Sequence, residues 1–453
     1  MSNKIQFNTK IGLIAATVGS AVGLGNIWRF PAVAQEGGGG AFLLVYVLCV
    51  LLLGVPVMSG EFAIGRAGGS DAATDFRRLS PGTKWWLVGW GGILTAFLIA
   101  IFYMVVAGWT LEYLFDTLSG SLFEGTSSAT AADDFGEKMN SYIAGSWNPV
   151  IFTLLVIAIN AVILLLGVQK GIERISNIMM PLLFVLLLVF CVVSVTLPGA
   201  GAGVEFFLSP DFSKITPGVV INALGQAFFS LSLGMGILIT YSAYYPKKTN
   251  LCRTAVTVSM LDMLVAVLMG LVIFPALMSF GIKDASVEGT SLVYITMPMI
   301  FSKMPCPQLW SSLFFALLLL AALTSTISIA EVPVRYCQDR FGMSRRKAVF
   351  AVVSPLLVLS TFCALSLGPL SDCTVFGLTM FDLLDKGTTN FMLPIIAFAT
   401  CVYAGWFAPK GLIRGELAGK GGALSPFARI MMFILKWIAP ILIGVVFVGQ
   451  LFG

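Results

Sequence analysis

The sequence predicts an all-α integral membrane protein of about eleven spans, arranged as two inverted five-helix repeats with an eleventh helix appended. Three observations carry this. Of its 453 residues 58% are hydrophobic and only 11% charged, and the mean hydropathy is +0.94, a balance that soluble domains do not reach. Apolar runs long enough to span recur near residues 24, 54, 101, 157, 185, 230, 267, 322, 358, 397 and 440. The first and sixth of these runs are interrupted by glycine and polar residues, which places a broken helix at the head of each group of five.

Span 1 carries Gly19, Gly23, Gly25, Asn26 and Arg29 in AATVGSAVGLGNIWRFP. Each glycine costs a helix interior about 1 kcal/mol relative to alanine, and non-helical backbone inside a membrane survives only against protein or a polar cavity. Span 6 repeats the device with Ser230, Ser232, Gly234 and Gly236 in GQAFFSLSLGMGILITY. In span 5, Gly171 and Pro181 weaken the half nearest the loop at 170–174, allowing that half to unwind or simply to kink. The semi-polar stretch from Ile282 to Met304 reads as a re-entrant or surface helix. One domain, residues 1–453, is expected, with repeats at 11–200 and 216–407 and a last span at 427–452.

Lys and Arg concentrate in the loops at 66–84, 170–174, 245–253, 335–347 and 408–429, whereas the loop at 116–138 holds Asp116, Glu124, Asp133, Asp134 and Glu137. The positive-inside rule then sets the N-terminus in the cytoplasm and Gly453 outside, in the plasma (inner) membrane. The net charge of +5 is thus a topology signal and not a nucleic-acid footprint. No A-x-A cleavage site follows the first apolar run, so no cleaved signal peptide is expected. Small apolar packing suits the eight Cys, with Cys306 and Cys373 near the outer face as the one alternative pair. Histidine is absent, which excludes a histidine proton relay, a His-ligated metal and a Ser/His or Cys/His enzyme.

The free amides of Leu24 and Gly25 at the first break attract an anion, and the carbonyls of Phe229 and Ser230 at the second attract a cation. An α-amino acid, with both charges on one carbon, satisfies both. Oxygen ligands for a small monovalent ion are at hand in main-chain carbonyls, Asn26, Ser230 and Asp262. Ala321, Thr324 and Ser325 share one face of one turn of span 8, although membrane hydroxyls commonly bond the preceding turn, the reading given to Thr326 and Ser328. Among the intramembrane charges Arg29, Glu61, Glu112, Asp262, Glu331 and Lys436, Glu61 is expected to hold amides freed by a break, and Lys436 to snorkel.

In motif after motif the chain resembles the neurotransmitter:sodium symporter family, and within it the eleven-span bacterial amino acid transporters with a leucine-transporter-like fold. The motifs are AVGLGNIWRFP at 21–31, EGGGGAF at 36–42, GEFAIGR at 60–66, the FY pair at 102–103, FFSLSLGMG at 228–236 and LTSTISI at 323–329. The resemblance implies two sodium ions as cofactors. The first would sit on the Ala21 carbonyl, Asn26, Ser230, Asp262 and the substrate carboxylate; the second on the carbonyls of Gly19, Val22 and Ala321 with Thr324 and Ser325. It implies that the substrate carboxylate meets Leu24, Gly25 and Tyr103, its ammonium Ala21, Phe229, Ser230 and Ser232, and its side chain Ile99, Phe229, Met235, Ser325 and Ile329. An outer gate would pair Arg29 with Asp382 beneath Phe229 and Tyr103, and an inner gate Lys4 with Asp339 beside Tyr244.

Three departures from the family pattern bear on function. Asp262 supplies a fixed charge where chloride-dependent members recruit an anion, so chloride independence is expected. Met235 replaces a bulky aromatic, which favours a broad range of bulky neutral L-amino acids. Gly23 stands where monoamine carriers place an Asp, which argues against amines lacking a carboxylate. The expected function is sodium-coupled import of such amino acids by alternating access, as a monomer or dimer in the lipid bilayer. A proton-coupled carrier titrating Asp262 or Glu61, and a channel or receptor, remain the alternatives.

Overall fold

Hydrocarbon offers no hydrogen bonds to the main chain, so each apolar run closes its own as helix. The computed structural model describes residues 6–126, 131–145, 147–282, 289–418 and 424–452. Among these, nine helices are long and apolar enough to span: Gly40–Gly68, Trp86–Ser119, Asn148–Leu165, Val168–Val195, Leu251–Ser279, Pro307–Phe341, Arg345–Leu365, Met380–Phe407 and Pro426–Gly449. We call these spans 2, 3, 4, 5, 7, 8, 9, 10 and 11. A tenth, span 1, is the pair Lys10–Ala21 and Gly25–Glu36, bent by 55°. Span 6 consists of Pro217–Ser230 and Ile237–Ser242 with a turn between them, its halves each too short to qualify alone. The elements among the described residues are all helical.

Both breaks have local causes. Span 1 starts at Thr9, whose hydroxyl accepts from the Gly12 amide, and stops at Val22, where the backbone turns extended. In span 6 the turn needs left-handed backbone at Ser232 (φ 54°), Gly234 (φ 79°) and Gly236 (φ 69°), a conformation that glycine adopts freely and other residues resist. Glu61 of span 2 accepts from the Gly234 amide at 2.9 Å, satisfying one donor the break sets loose. Span 5 opens with a wide helical turn at Val168–Glu173 that includes Gly171, and Pro181 lies inside the regular helix that follows. Pro217 sits in the first turn of span 6, where its missing N–H costs nothing.

Spans 3 and 8 pack along each other and, with the two broken spans, enclose the centre, while spans 4, 5, 9 and 11 are more peripheral. Between spans 7 and 8 lies the short apolar helix Leu292–Ser302, most of whose side chains are buried, with Tyr294 Oη bonded to Thr110 and Val106 of span 3. All eight Cys are free; Cys306 and Cys373 are both exposed and unbridged. The loops rich in Lys and Arg share one end of the bundle, called here the basic face.

Candidate functional site: the two helix breaks

The chain has two broken helices, and polar groups beside the two breaks meet in the interior of the bundle. Asn26 is fully buried and its side-chain amide donates to Ser230 Oγ at 2.9 Å and to Asp262 Oδ1 at 2.9 Å. Ser230 Oγ donates to Asp262 Oδ2 at 2.6 Å. A carboxylate at a helix centre costs about 2.5–3.5 kcal/mol on insertion, so three partnered polar side chains from spans 1, 6 and 7 there mark a working site. Tyr46 of span 2 donates to Ser230 Oγ at 3.4 Å, and Gln226 Nε2 to the Gly25 carbonyl at 2.9 Å. Each oxygen in this cluster is a hard donor that suits a small cation.

A second oxygen cluster lies where span 8 touches the end of the first half of span 1. Ser325 Oγ donates to the Val22 carbonyl at 3.2 Å and toward that of Gly19 at 3.5 Å. Thr324 Oγ1 bonds the Ala321 and Leu320 carbonyls of its own helix, and a Cβ on Gly19 would come within 3.2 Å of Thr324. Thr326 and Ser328 bond back to the preceding turn, as expected of them. The two clusters therefore hold the residues that the resemblance assigned to two sodium ions.

Between the clusters is a cavity of about 20 Å3, lined by Ala21, Gly23, Gly25, Ile99, Tyr103, Phe229, Ser230, Ser232, Met235, Ser325 and Ile329, together with Ser20. That volume holds a water or so, and a bulky side chain enters only if Phe229 and Met235 move. The Leu24 amide donates to Tyr103 Oη at 2.9 Å, so the two groups expected to hold a carboxylate face the same point. Gly23 allows the approach: a Cβ there would lie 2.5 Å from Ser325 Oγ and 2.8 Å from Tyr103 Oη. Any side chain in its place would have to displace one or both of these hydroxyls. Ser232 Oγ, expected to face an ammonium, donates to the Ser20 carbonyl at 2.8 Å.

Away from the basic face, a cavity of about 370 Å3 reaches down to Tyr103 and Phe229. The Arg29 guanidinium lies 4.7 Å above the Phe229 ring. Here the expected pair needs correction: Asp385, and not Asp382, lines this cavity with Arg29. Asp382 instead closes a helix cap, accepting from Thr379 Oγ1 at 2.8 Å while its amide donates to that hydroxyl at 3.2 Å.

Toward the basic face the path is sealed. Tyr244 Oη donates to Glu331 Oε1 at 2.9 Å, and Arg345 of span 9 grips both Glu331 oxygens at 2.8 and 2.7 Å. The expected partner of Asp339, Lys4, lies outside the described residues. Asp339 meets Arg335 at 2.7 Å, an ion pair whose Nε–H is not aimed along a hydrogen bond, and accepts from Ser70 Oγ at 2.8 Å. Arg335 also lies 4.9 Å from the Tyr244 ring. At the start of span 1 the buried Glu173 accepts from the amides of Asn8 and Thr9 at 2.9 and 3.0 Å and from Thr9 Oγ1 at 3.0 Å.

This is the architecture of a secondary carrier, with a mid-membrane site built from broken helices and a closure on either side. A profile described as "Sodium:neurotransmitter symporter family" matches residues 4–140 and 137–452, and the chain belongs to that family. Over 98% of its length it is 37% identical to an uncharacterized sodium-dependent transporter of Bacillus subtilis, YhdH, covering 97% of that protein. An uncharacterized sodium-dependent transporter of Haemophilus influenzae is 36% identical over 98% of both chains. Among solved structures, MhsT in complex with L-phenylalanine superposes with a TM-score of 0.89 at 39% identity, over 99% of this chain and 100% of that one. The protein is accordingly a sodium-dependent, multi-pass membrane symporter and not an enzyme.

Four contributors escaped the sequence reading. Asp385 lies one helical turn beyond the expected Asp382, Glu173 and Arg345 looked like ordinary loop charges, and Tyr46 looked like core. The spacing of Asp385 to Arg29 is not a sequence signal, but Glu173 sits two residues beyond the Gly171 that was singled out.

Proposed function

We infer that this chain imports neutral, mainly bulky hydrophobic or aromatic L-amino acids with sodium, without chloride, with its basic face and N-terminus in the cytoplasm, Gly453 outside, in the inner membrane. The observation that carries it is Asp262 held by Asn26 and Ser230, a fixed negative charge beside the two helix breaks. The charge does the work a bound anion would otherwise do. Ile99, Phe229, Met235 and Ile329 give the cavity apolar walls, and no cationic side chain lines it to match an acidic substrate. The ligand named for MhsT, L-phenylalanine, is of the same class.

In the cycle, sodium fills both oxygen clusters, the substrate carboxylate takes the place of Tyr103 Oη at the Leu24 amide and completes the first cluster, and Phe229 with Tyr103 closes above. Spans 1, 2, 6 and 7 then rock, releasing cargo toward the basic face. Coupling follows because the substrate itself ligates an ion.

Uptake of tritiated Trp and Leu into proteoliposomes under an inward sodium gradient, against an equal potassium gradient, tests this. Accumulation above equilibrium in sodium alone is expected, unchanged when gluconate replaces chloride. Accumulation driven only by a proton gradient refutes sodium coupling at these sites, loss of uptake in gluconate refutes chloride independence, and competition by Gly or Ala alone refutes the substrate class.

A further inference from the structure

At the basic face the start of span 1 and the loop between spans 6 and 7 leave a cavity of about 350 Å3 between them. Its lining carries the exposed Lys10, Lys248 and Arg253, the apolar Leu13 and Ile14 of span 1, and several Asn and Thr side chains. Among the described residues none of these three cations joins an ion pair, whereas Arg66, Arg335 and Arg345 of the same face are each spent on a carboxylate. Among the described residues no Asp or Glu lines the cavity. Glu173, which meets the same start of span 1, is engaged by the Asn8 and Thr9 amides. Three exposed cations and hydrogen-bonding Asn and Thr side chains beside apolar Leu13 and Ile14, at the end of span 1, match an anionic amphiphile: the phosphate sits among the cations and the acyl chain follows Ile14.

We propose that this cavity binds the phosphate headgroup of an anionic phospholipid, and that the bound headgroup ties the start of span 1 to the loop between spans 6 and 7, favouring the form closed toward the basic face. The location in the leaflet rests on the orientation proposed above. Span 1 is one of the elements that must swing to release cargo, so a ligand bridging Lys10 to Lys248 and Arg253 opposes that swing and makes transport sensitive to lipid composition. The three cations together favour an anionic over a zwitterionic headgroup by on the order of 100-fold.

The test uses the full-length protein in detergent, titrated with phosphatidylglycerol, with phosphatidylcholine of the same chains, and with glycerol phosphate and inorganic phosphate. Binding is read by native mass spectrometry and hydrogen exchange at the amides of residues 8–14. Phosphatidylglycerol is expected to bind and slow that exchange, and the variant K10Q/K248Q/R253Q to lose both by on the order of 100-fold. The variant K84Q/R346Q/K347Q, which removes three exposed charges elsewhere on the same face, is expected to keep them. Equal loss in the two variants, equal binding of phosphatidylcholine, or retention by the first variant overturns the proposal. Binding of inorganic phosphate as tight as that of the lipid overturns the lipid as its source. These readouts do not depend on uptake, so failure of the sodium experiment leaves them standing and falls on the transport reading alone.

Discussion

The two closures of the transport path are built on opposite principles. Toward the basic face the seal is polar and dense: Glu331 is fully buried and Arg345 grips both its oxygens, with Tyr244, Arg335, Asp339 and Ser70 bonded around them. On the other side it is thin: one guanidinium rests on one aromatic ring beneath an open cavity, with Asp385 at the wall. A buried ion pair that loses one partner strands a charge, at about 3–5 kcal/mol, whereas a cation–π contact near solvent is worth about 0.5–1 kcal/mol. Opening toward the basic face therefore needs coordinated breakage, and opening on the far side needs little. In this structure the path is sealed toward the basic face, while a cavity of about 370 Å3 reaches Tyr103 and Phe229 from the other side.

The largest expected effect tests that asymmetry directly. Glu331→Ala leaves Arg345 unpaired and should lower stability by about 3–5 kcal/mol, seen as a drop in melting temperature with uptake nearly abolished. Replacing both by apolar residues of similar size should recover the stability and not the uptake; a single variant as stable as the parent would show that the seal is not energetic. Next, Asn26→Ala removes the amide that binds both Ser230 and Asp262. A loss of about 1–3 kcal/mol, or about 5- to 150-fold, should appear in the sodium concentration needed for half-maximal uptake, and an unchanged sodium dependence would remove Asn26 from the ion site. On the thin side, Asp385→Asn should slow uptake several-fold and Asp382→Asn should not, since Asp382 serves a helix cap; the reverse order would restore the partner suggested by the sequence.

The smallest effect concerns pH at the edge of the dense closure. Asp75, in the short helix Ala72–Leu79 between spans 2 and 3, has its carboxyl pushed well above the usual range by burial, with Asp71 adding to it. A carboxyl that holds its proton more tightly folded than unfolded stabilises the fold most at low pH, and that contribution is lost as pH rises through the raised value. Asp75→Asn should therefore flatten the fall in melting temperature from mildly acidic to alkaline pH. An identical pH profile in the variant would place the titration elsewhere.

The breaks in spans 1 and 6 were legible because glycine and buried polar residues are costly in an apolar helix and stand out from it. The cluster of Asn26, Ser230 and Asp262 follows from the same signal, since an oxygen-rich residue at that depth needs a partner. What the sequence hid was pairing. Asp382 and Asp385 are one turn apart on one helix, and only the cap at Thr379 decides which is free to face Arg29. Arg345 counts as one more positive charge in a basic loop until span 9 is seen to carry it against Glu331. Charge counting assigns such residues to topology, and three-dimensional proximity reassigns them to the gate. Gly171 signalled weakness in span 5, and the structure gives it the form of a wide turn that ends at Glu173.

That turn bears on how span 1 moves. A Cβ at Gly12 would fall 2.3 Å from Glu173 Oε1, so the carboxylate lies flat against the helix and nothing else fits between. It holds two main-chain amides and one hydroxyl at once. Asn8 is held by Oε2 and Thr9 by Oε1, so both oxygens of the one carboxylate are occupied by the helix start. The foot of span 1 is thus fastened by a single carboxylate to the turn that opens span 5, and the two segments are joined for as long as those bonds last.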